Sequence, residues 1–184
     1  MKFIPQSIKD VILIEPTTHG DDRGYFVETF RQDLFEEAIG YKVNFVQDNE
    51  SKSTKGVLRG LHYQLPPYTQ AKLVRVIEGS VLDIAVDIRK SSPTFGQHVS
   101  VELTAQNKHQ LFVPHGFAHG FIVLSDSATF AYKVDNYYAP EHDRGIAFDD
   151  EQLKIDWQLL AEELQLSDKD KTHPSLANAK DLLE

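Results

Sequence analysis

Cysteine is absent from this sequence of 184 residues, so no disulfide bond stabilises the fold. A chain of this length does not need one, because a domain of this size buries roughly 70% of the surface that its unfolded chain exposes. The N-terminus has too short an apolar stretch, and charge and proline too early, to be a secretory signal. Both observations predict a cytoplasmic protein.

Long hydrophobic runs and an excess of basic residues are also missing. No apolar stretch approaches the roughly 20 residues of a spanning helix, so no membrane association is expected. The net charge is −9 with a sequence pI near 5.3, which argues against a nucleic-acid-binding surface. A small phosphorylated ligand is still compatible, because two or three arginines are enough to bind one phosphate group.

Apolar and polar residues alternate through the middle of the chain, as in β-strands. Many short strands separated by turn signals predict an all-β protein, an antiparallel barrel or sandwich. Helical patterns occur only at the periphery, at 32–39 before Gly40 and in the Leu-rich segments from Leu153 onward. We therefore expect one domain over 1–184. The predicted strands are VNFVQ, VLRGLHYQ, AKLVRVIEG, SVLDIAVDI, HVSVEL, HQLFVP, AHGFIVL and ATFAYKV.

Two polar side chains share strand faces with apolar neighbours. Lys72 alternates in phase with Val74 and Val76, and Tyr132 alternates in phase with Phe130. A lysine inside a barrel costs several kcal/mol unless it is paired or takes part in chemistry. The alternatives are that Lys72 reaches solvent from a strand end and that Tyr132 is an ordinary core tyrosine.

The segment LRGLHYQ, residues 58–64, places Arg59 and His62 on opposite faces of a regular strand. Gly60 lies between them, and a glycine inside a strand often marks a bulge. If both side chains serve one site, a bulge or strong twist is expected at Gly60. A regular ladder with Arg59 on the outer face would exclude this arrangement.

The segment PHGFAHGF, which contains His119, resembles the second metal-ligand motif of the cupin superfamily of small jelly-roll barrels. The first cupin motif has a His-x-His pair followed by an acid. Here that stretch has His62 and Gln64, no acid follows, and Lys72 lies nearby. Divalent metals prefer imidazole and carboxylate ligands, so we expect no metal at this position.

The same residues fit proton transfer next to a carbonyl group. A histidine with an unperturbed pKa of about 6.5 is available as a neutral base, and a buried lysine stabilises an enolate oxygen. If His62 and Tyr132 lie on opposite sides of a substrate carbon, removal of a proton on one face and return on the other inverts that centre.

The sequence resembles the dTDP-4-dehydrorhamnose 3,5-epimerase family, cofactor-free enzymes of dTDP-L-rhamnose synthesis with a cupin-type antiparallel jelly-roll barrel. The resemblance extends from about residue 12 to residue 170, nearly the whole chain, and its ordered set of motifs is highly specific. The segments that carry it are HGDDRGYFVETF, FVQDN, GVLRGLHYQ, AKLVRVIEGSVLDIAVDIRKSSPTFG, VPHGFAHGF, YKVDNYYAP and DRGI.

This resemblance implies a catalytic set. It places the general base at His62 and a supporting aspartate at Asp170, with Asp168 as the alternative in LSDKD. The oxyanion-stabilising group falls on Lys72, and the general acid falls on Tyr132. A carboxylate bonded to the imidazole fixes its tautomer and raises its basicity.

The resemblance also implies the substrate contacts and the oligomer. Tyr138 corresponds to the aromatic that stacks on the thymine ring. Positions 23, 26 and 28 correspond to an N-terminal segment, within about residues 1–30, that reaches the neighbouring subunit's site, so a homodimer with shared sites is expected. The positions matching substrate contacts are Arg23, Phe26, Glu28, Gln47, Asp48, Asn49, Arg59, Lys72, His119, Asp143 and Lys169.

We therefore expect inversion of C5 and then C3 of dTDP-4-dehydro-6-deoxy-α-D-glucose, without a cofactor. A relative acting at one centre would share the same base and lysine, so a single-centre epimerase is the alternative. Two other classes compete with it. A metal-dependent cupin would use His62 and His119 as ligands, and a non-catalytic sugar-nucleotide-binding cupin would not need Lys72, Tyr132 and a supporting acid together.

Overall fold

The computed structural model describes residues 1–184, which form antiparallel β-sheets and a single α-helix. A first group of strands comprises β1 (Lys2–Pro5), β2 (Ile12–Glu15), β5 (Gln47–Thr54), β7 (Lys72–Glu78), β10 (Gln110–Val113) and β12 (Ser127–Val134). A second group comprises β6 (Leu58–Gln64), β8 (Ser80–Asp87), β9 (His98–Thr104), β11 (Phe117–Val123) and β13 (Asp143–Gly145). β3 (Thr18–Asp21) and β4 (Gly24–Val27) form a separate hairpin.

The first group forms a six-stranded sheet in the order β1-β2-β10-β7-β12-β5, and the second forms a five-stranded sheet in the order β13-β6-β11-β8-β9. Apolar side chains from both sheets meet in one buried cluster that includes Val74, Val81, Leu111, Phe121 and Phe130. Burial of this shared layer is the main force that holds the two sheets face to face.

The outer faces of the two sheets are covered by the peripheral segments. Phe35 of the helix α1 (Gln32–Ile39) packs on the six-stranded sheet, and Trp157 and Leu176 of the C-terminal segment pack on the five-stranded one. The remaining elements are short 3₁₀ helices at Pro140–His142, Ala161–Glu163, Asp170–Thr172 and Leu176–Asn178. No helix has both the length and the apolar character that a membrane crossing requires.

The helix predicted at 32–39 is confirmed. Gly40 ends it in the left-handed conformation, with φ of 81°, and donates its backbone N–H to the carbonyl of Glu36 at 2.9 Å. The strand predicted at 43–47 is wrong, because β5 begins only at Gln47. Val43 and Phe45 pack together beneath α1, so their apolar character reflects helix packing and not a strand face.

A β-bulge occurs at the expected position in β6. His119 and Phe121 of β11 are two residues apart, whereas their partners His62 and Arg59 on β6 are three residues apart. Gly60 supplies the extra residue, with φ of 137°. The bulge turns Arg59 and His62 toward the same cavity, as expected if both side chains serve one site.

Candidate active site

A cavity of about 450 Å³ opens between the two sheets. Both sheets contribute polar side chains to it, and the C-terminal segment closes one side with Ser167, Lys169 and Asp170. The residues of the predicted site that line it are Arg59, His62, Lys72, His119, Tyr132, Lys169 and Asp170. The sequence positions therefore converge, although they span more than 100 residues of chain.

His62 and Asp170 form a hydrogen-bonded pair. The Nε2 atom of His62 lies 2.6 Å from Oδ1 of Asp170, and Ser167 donates its hydroxyl to Oδ2 of the same carboxylate at 2.9 Å. Asp168, the alternative acid, is fully exposed and pairs with Lys171. Because Nε2 is occupied, Nδ1 of His62 is the nitrogen left to accept a proton.

The pKa values of this pair are shifted in ways that keep the imidazole neutral and the carboxylate ionised. Burial lowers the pKa of His62, and this effect outweighs the hydrogen bond and charge of Asp170, which raise it. Burial alone would raise the pKa of Asp170, but the nearby imidazole of His173, together with the hydrogen bonds from His62 and Ser167, reverses this and lowers it.

Lys72 begins β7, and its side chain points into the cavity, in phase with Val74 and Val76 as predicted. No carboxylate oxygen lies within 4.0 Å of its ammonium nitrogen, so Lys72 forms no salt bridge. Burial lowers the pKa of the ammonium to about 8, against the attraction of the more distant Asp143 and Asp83. A buried cation without a paired anion is suited to stabilise a negative charge that develops on a ligand.

A second histidine–aspartate pair lies deeper in the barrel. Nε2 of His119 is 3.0 Å from both carboxylate oxygens of Asp83, and both residues are buried. Burial raises the pKa of Asp83, although His119 and Lys72 lower it. Sequence reasoning missed Asp83, yet it shares its face of β8 with Val81 and Ala85, the same signal that identified Lys72.

Tyr132 and Arg59 complete the cavity wall. Tyr132 on β12 packs partly against the interior core, and burial raises the pKa of its hydroxyl. The guanidinium of Arg59 donates through Nη2 and Nε to the hydroxyl of Ser53 on β5, at 3.1 and 3.3 Å. Both polar ends therefore lie where a bound molecule would meet them.

Tyr138 lies on the loop after β12 and is 56% exposed. Its hydroxyl donates to Oδ2 of Asp143 at 3.0 Å, and the ammonium of Lys169 contacts the same oxygen. The buried side chain of Gln64 fixes this loop: its amide nitrogen donates to the carbonyl of Tyr137, and its oxygen accepts from the N–H of Ala139. The same nitrogen also donates to the carbonyl of Tyr68, which follows β6. The sequence indicated Gln64 as a lost ligand, but its amide is engaged by this loop.

Eight of the predicted substrate contacts do not line the cavity: Tyr138 and Asp143, described above, and six others. Asp48 and Asn49 line an adjoining hollow that Tyr132 also borders, and Gln47 donates to Asn49 at 2.8 Å. The remaining three, Arg23, Phe26 and Glu28, lie on or next to the β3–β4 hairpin. The structure does not bring these three to the cavity of their own chain.

The cavity does not fit the metal site of the cupin motif. His119 directs Nε2 to Asp83, Gln64 directs its amide to a loop, and the ammonium of Lys72 faces the same space. The side chains that line the cavity instead combine a supported imidazole, a cation and a phenol. The fold and the site thus define a jelly-roll barrel whose interior is equipped for acid–base chemistry next to a developing oxyanion.

Comparison with known proteins gives the family. The sequence profile of dTDP-4-dehydrorhamnose 3,5-epimerases matches residues 5–178, and the chain belongs to this family. The dTDP-4-dehydrorhamnose 3,5-epimerase of Shigella flexneri is 59% identical over 170 residues, which are 92% of this chain and 93% of the relative. The prediction of a cupin-type antiparallel jelly roll is confirmed.

Two solved structures are informative neighbours. The dTDP-6-deoxy-D-glucose-3,5-epimerase of Legionella pneumophila, in complex with dTDP-4-keto-L-rhamnose, has a TM-score of 0.94 and 51% identity and covers 97% of this chain and 94% of its own. ChmJ of Streptomyces bikiniensis is described as a 3'-monoepimerase and was solved with dTDP-quinovose. It has a TM-score of 0.89 and 36% identity, and the match covers 96% of this chain and 88% of ChmJ.

Proposed function

We propose that the protein inverts C5 and then C3 of dTDP-4-dehydro-6-deoxy-α-D-glucose and so forms dTDP-4-dehydro-β-L-rhamnose for dTDP-L-rhamnose synthesis. The observation that carries this proposal is the convergence, in one cavity, of the His62–Asp170 pair, the unpaired ammonium of Lys72 and the hydroxyl of Tyr132. Membership of the family and the neighbour bound to dTDP-4-keto-L-rhamnose support the choice of substrate.

In the proposed reaction the C4 ketone acidifies the adjacent C–H bonds. Nδ1 of His62 takes the proton, because Asp170 holds Nε2–H and supports the charge that forms on the ring. The electron pair of the C–H bond moves to the C4 oxygen, and Lys72 stabilises the enolate. Removal of one such oxyanion partner costs about 10² to 10³ in kcat in comparable sites.

Tyr132 then returns a proton to the opposite face of the carbon, and solvent exchange restores His62 and Tyr132 to their starting states. One base and one oxyanion site serve both carbons if the ring is repositioned between the two steps. Every group in this scheme is a protein side chain, so the proposed chemistry uses neither a metal nor a cofactor.

The nucleotide end of the substrate is assigned to the rim of the cavity. Tyr138 offers an exposed ring for stacking on thymine, while Arg59 and Lys169 supply hydrogen-bond donors to the diphosphate and sugar. His119 lies deeper, with Nε2 engaged by Asp83, and is assigned to the sugar end. We further propose a homodimer in which Arg23, Phe26 and Glu28 of each chain complete the other chain's site. The hairpin has an exposed aromatic surface, on which Phe26 is 68% exposed, and this surface supports the assembly.

The second candidate function is epimerisation at one carbon only, and the structural similarity to a 3'-monoepimerase supports it. A product assay separates the two. The purified enzyme is incubated with dTDP-4-dehydro-6-deoxyglucose, and the configuration at C3 and C5 is read by NMR. We expect inversion at both carbons, and no turnover by His62→Ala. Inversion at one carbon alone would establish the second candidate, and bound but unchanged substrate would contradict both.

A further inference from the structure

His173 lies beside the His62–Asp170 pair, and the proposed reaction does not use it. Its side chain is about nine-tenths buried, and Nε2 is buried without a hydrogen-bond partner. A buried polar nitrogen of this kind destabilises the fold unless something satisfies it. Oδ1 of Asp170 lies 3.5 Å from this nitrogen, and the ring stands edge to face against His62, with ring centroids 5.5 Å apart.

We propose that His62, Asp170 and His173 form a binding site for a divalent transition-metal ion of the Zn²⁺ type, and that occupation of this site inhibits the enzyme. Two imidazoles and one carboxylate are a ligand set that such ions prefer. The site is distinct from the cupin-like pair of His62 and His119, because His119 is engaged by Asp83. Metal binding itself is independent of the proposed function; the inhibition rests on it.

The geometry is close to that of a bound ion. The three ligand atoms lie within 4.8 Å of one another. On a tetrahedral ion with ligand distances of about 2.0–2.2 Å, two ligand atoms stand about 3.3–3.5 Å apart. The separation of His173 from Asp170 already has this value. The shorter separation of His62 from Asp170, 2.6 Å, spans a proton that the ion would replace.

Small side chains around the cluster leave it room. The ring of His173 packs against Gly145, where any side chain would overlap it. Gly145 pairs with His62 across β13 and β6, so the backbone that carries the base also provides the space for the second imidazole. Ser167 keeps the carboxylate of Asp170 oriented through Oδ2, which leaves Oδ1 for the ion.

Inhibition follows from the tautomer of His62. In the free enzyme the proton sits on Nε2 and is shared with Asp170, so Nδ1 is basic. An ion on Nε2 breaks the Nε2–H bond, and the neutral ring then carries its one proton on Nδ1. The nitrogen that must accept the substrate proton is blocked without any change in the net protonation of the ring, and without contact between the ion and the substrate.

The test is calorimetric titration of the purified protein with Zn²⁺ in the absence of substrate, using wild type, His173→Phe, His173→Asn and the matched control His98→Gln. His98 is a half-buried histidine on β9, outside this cluster. We expect one ion per chain in wild type and the control, and about tenfold or more weaker binding in both His173 variants, because a lost ligand costs at least as much as a lost outer-shell partner.

The same proteins are then assayed for turnover at increasing Zn²⁺, each relative to its own rate without the ion. The half-inhibitory concentration should rise by the same factor in both His173 variants and not in His98→Gln. Circular dichroism verifies folding, and the asparagine variant serves if the phenylalanine variant does not fold. Absence of binding at 100-fold excess over protein, or binding unaltered in both His173 variants, would overturn the proposal. Binding with no epimerase activity would overturn the proposed function alone.

Discussion

At the scale of single residues, the site depends on burial that lowers the pKa of both a base and a cation. Burial lowers the pKa of His62, so its imidazole is held neutral. Burial also lowers the pKa of Lys72 to about 8, so its ammonium is charged only below about that pH. Separate environments thus assign opposite tasks to two basic groups within one cavity.

These shifts predict a bell-shaped pH profile of kcat/KM. Activity should rise as His62 loses its proton, with a midpoint below the usual value of about 6.5, and fall as Lys72 loses its proton near pH 8. Steady-state assays from pH 5 to pH 10 measure both limits. In Lys72→Arg the guanidinium stays charged, so whatever activity is left should keep its basic limit well above pH 8.

A basic limit that stayed in place in Lys72→Arg would assign that limit to a different group. Tyr132 does not compete for this assignment, because burial raises the pKa of its hydroxyl above the ordinary value of 10.0.

Residue alternation indicates that Lys72 and Tyr132 face the barrel interior, but it leaves open whether Lys72 reaches solvent from a strand end and whether Tyr132 is an ordinary core residue. The same alternation places Asp83 in phase with Val81 and Ala85, although a lone aspartate in SVLDIAVDI gives no indication of the histidine with which it pairs. His173 gave no signal of this kind, since it lies in an irregular tail where no periodicity relates one residue to another. Its position depends on tertiary packing against Gly145.

At the scale of structural elements, the bulge in β6 decides which side chains reach the cavity. The opposite faces of Arg59 and His62, together with the glycine between them, predict this bulge. A β-carbon on Gly60 would lie 2.6 Å from Cα of Gly120, so the two strands approach too closely for any other residue. The polar strand β5 could not be predicted in this way, because QDNESKST has no apolar face.

The buried amide of Gln64 makes two hydrogen bonds to the loop after β12. We expect Gln64→Ala to raise KM about tenfold and to leave kcat within about twofold, because freeing the loop loosens the stacking ring of Tyr138, and base stacking is worth about 1–3 kcal/mol. Steady-state kinetics with the nucleotide sugar measure both constants.

Gln70→Ala is the matched control, since Gln70 donates to the same stretch of chain through one hydrogen bond, to the carbonyl of Asn136. A fall in kcat with unchanged KM in Gln64→Ala would show that the amide supports the chemistry and not the nucleotide end.

At the scale of the whole molecule, we propose that residues 1–184 fold as one domain and work as a homodimer. Arg23 is almost fully exposed, and its only ion pair is with Asp21. Tyr25 holds the hairpin against the body of its own chain through Lys108. Neither contact leads to the chain's own cavity, so a role for Arg23 in the site requires a second subunit.

Mixed dimers test this arrangement. His62→Ala and Arg23→Ala are each expected to have little activity alone. When the two are unfolded, mixed in equal amounts and refolded, half of the dimers combine one chain of each kind. One site in each such dimer then has both residues intact, so about a quarter of wild-type activity should return. If Arg23 serves its own chain, mixing restores nothing.

The central claim is that His62 removes the protons next to the C4 ketone. Turnover in deuterated water, followed by NMR at C3 and C5 separately, tests it most directly. We predict deuterium at both carbons with wild type, none with His62→Ala, and a smaller loss of proton removal than of inverted product with Tyr132→Phe. Inverted product without deuterium at either carbon, or undiminished exchange in His62→Ala, would contradict the account.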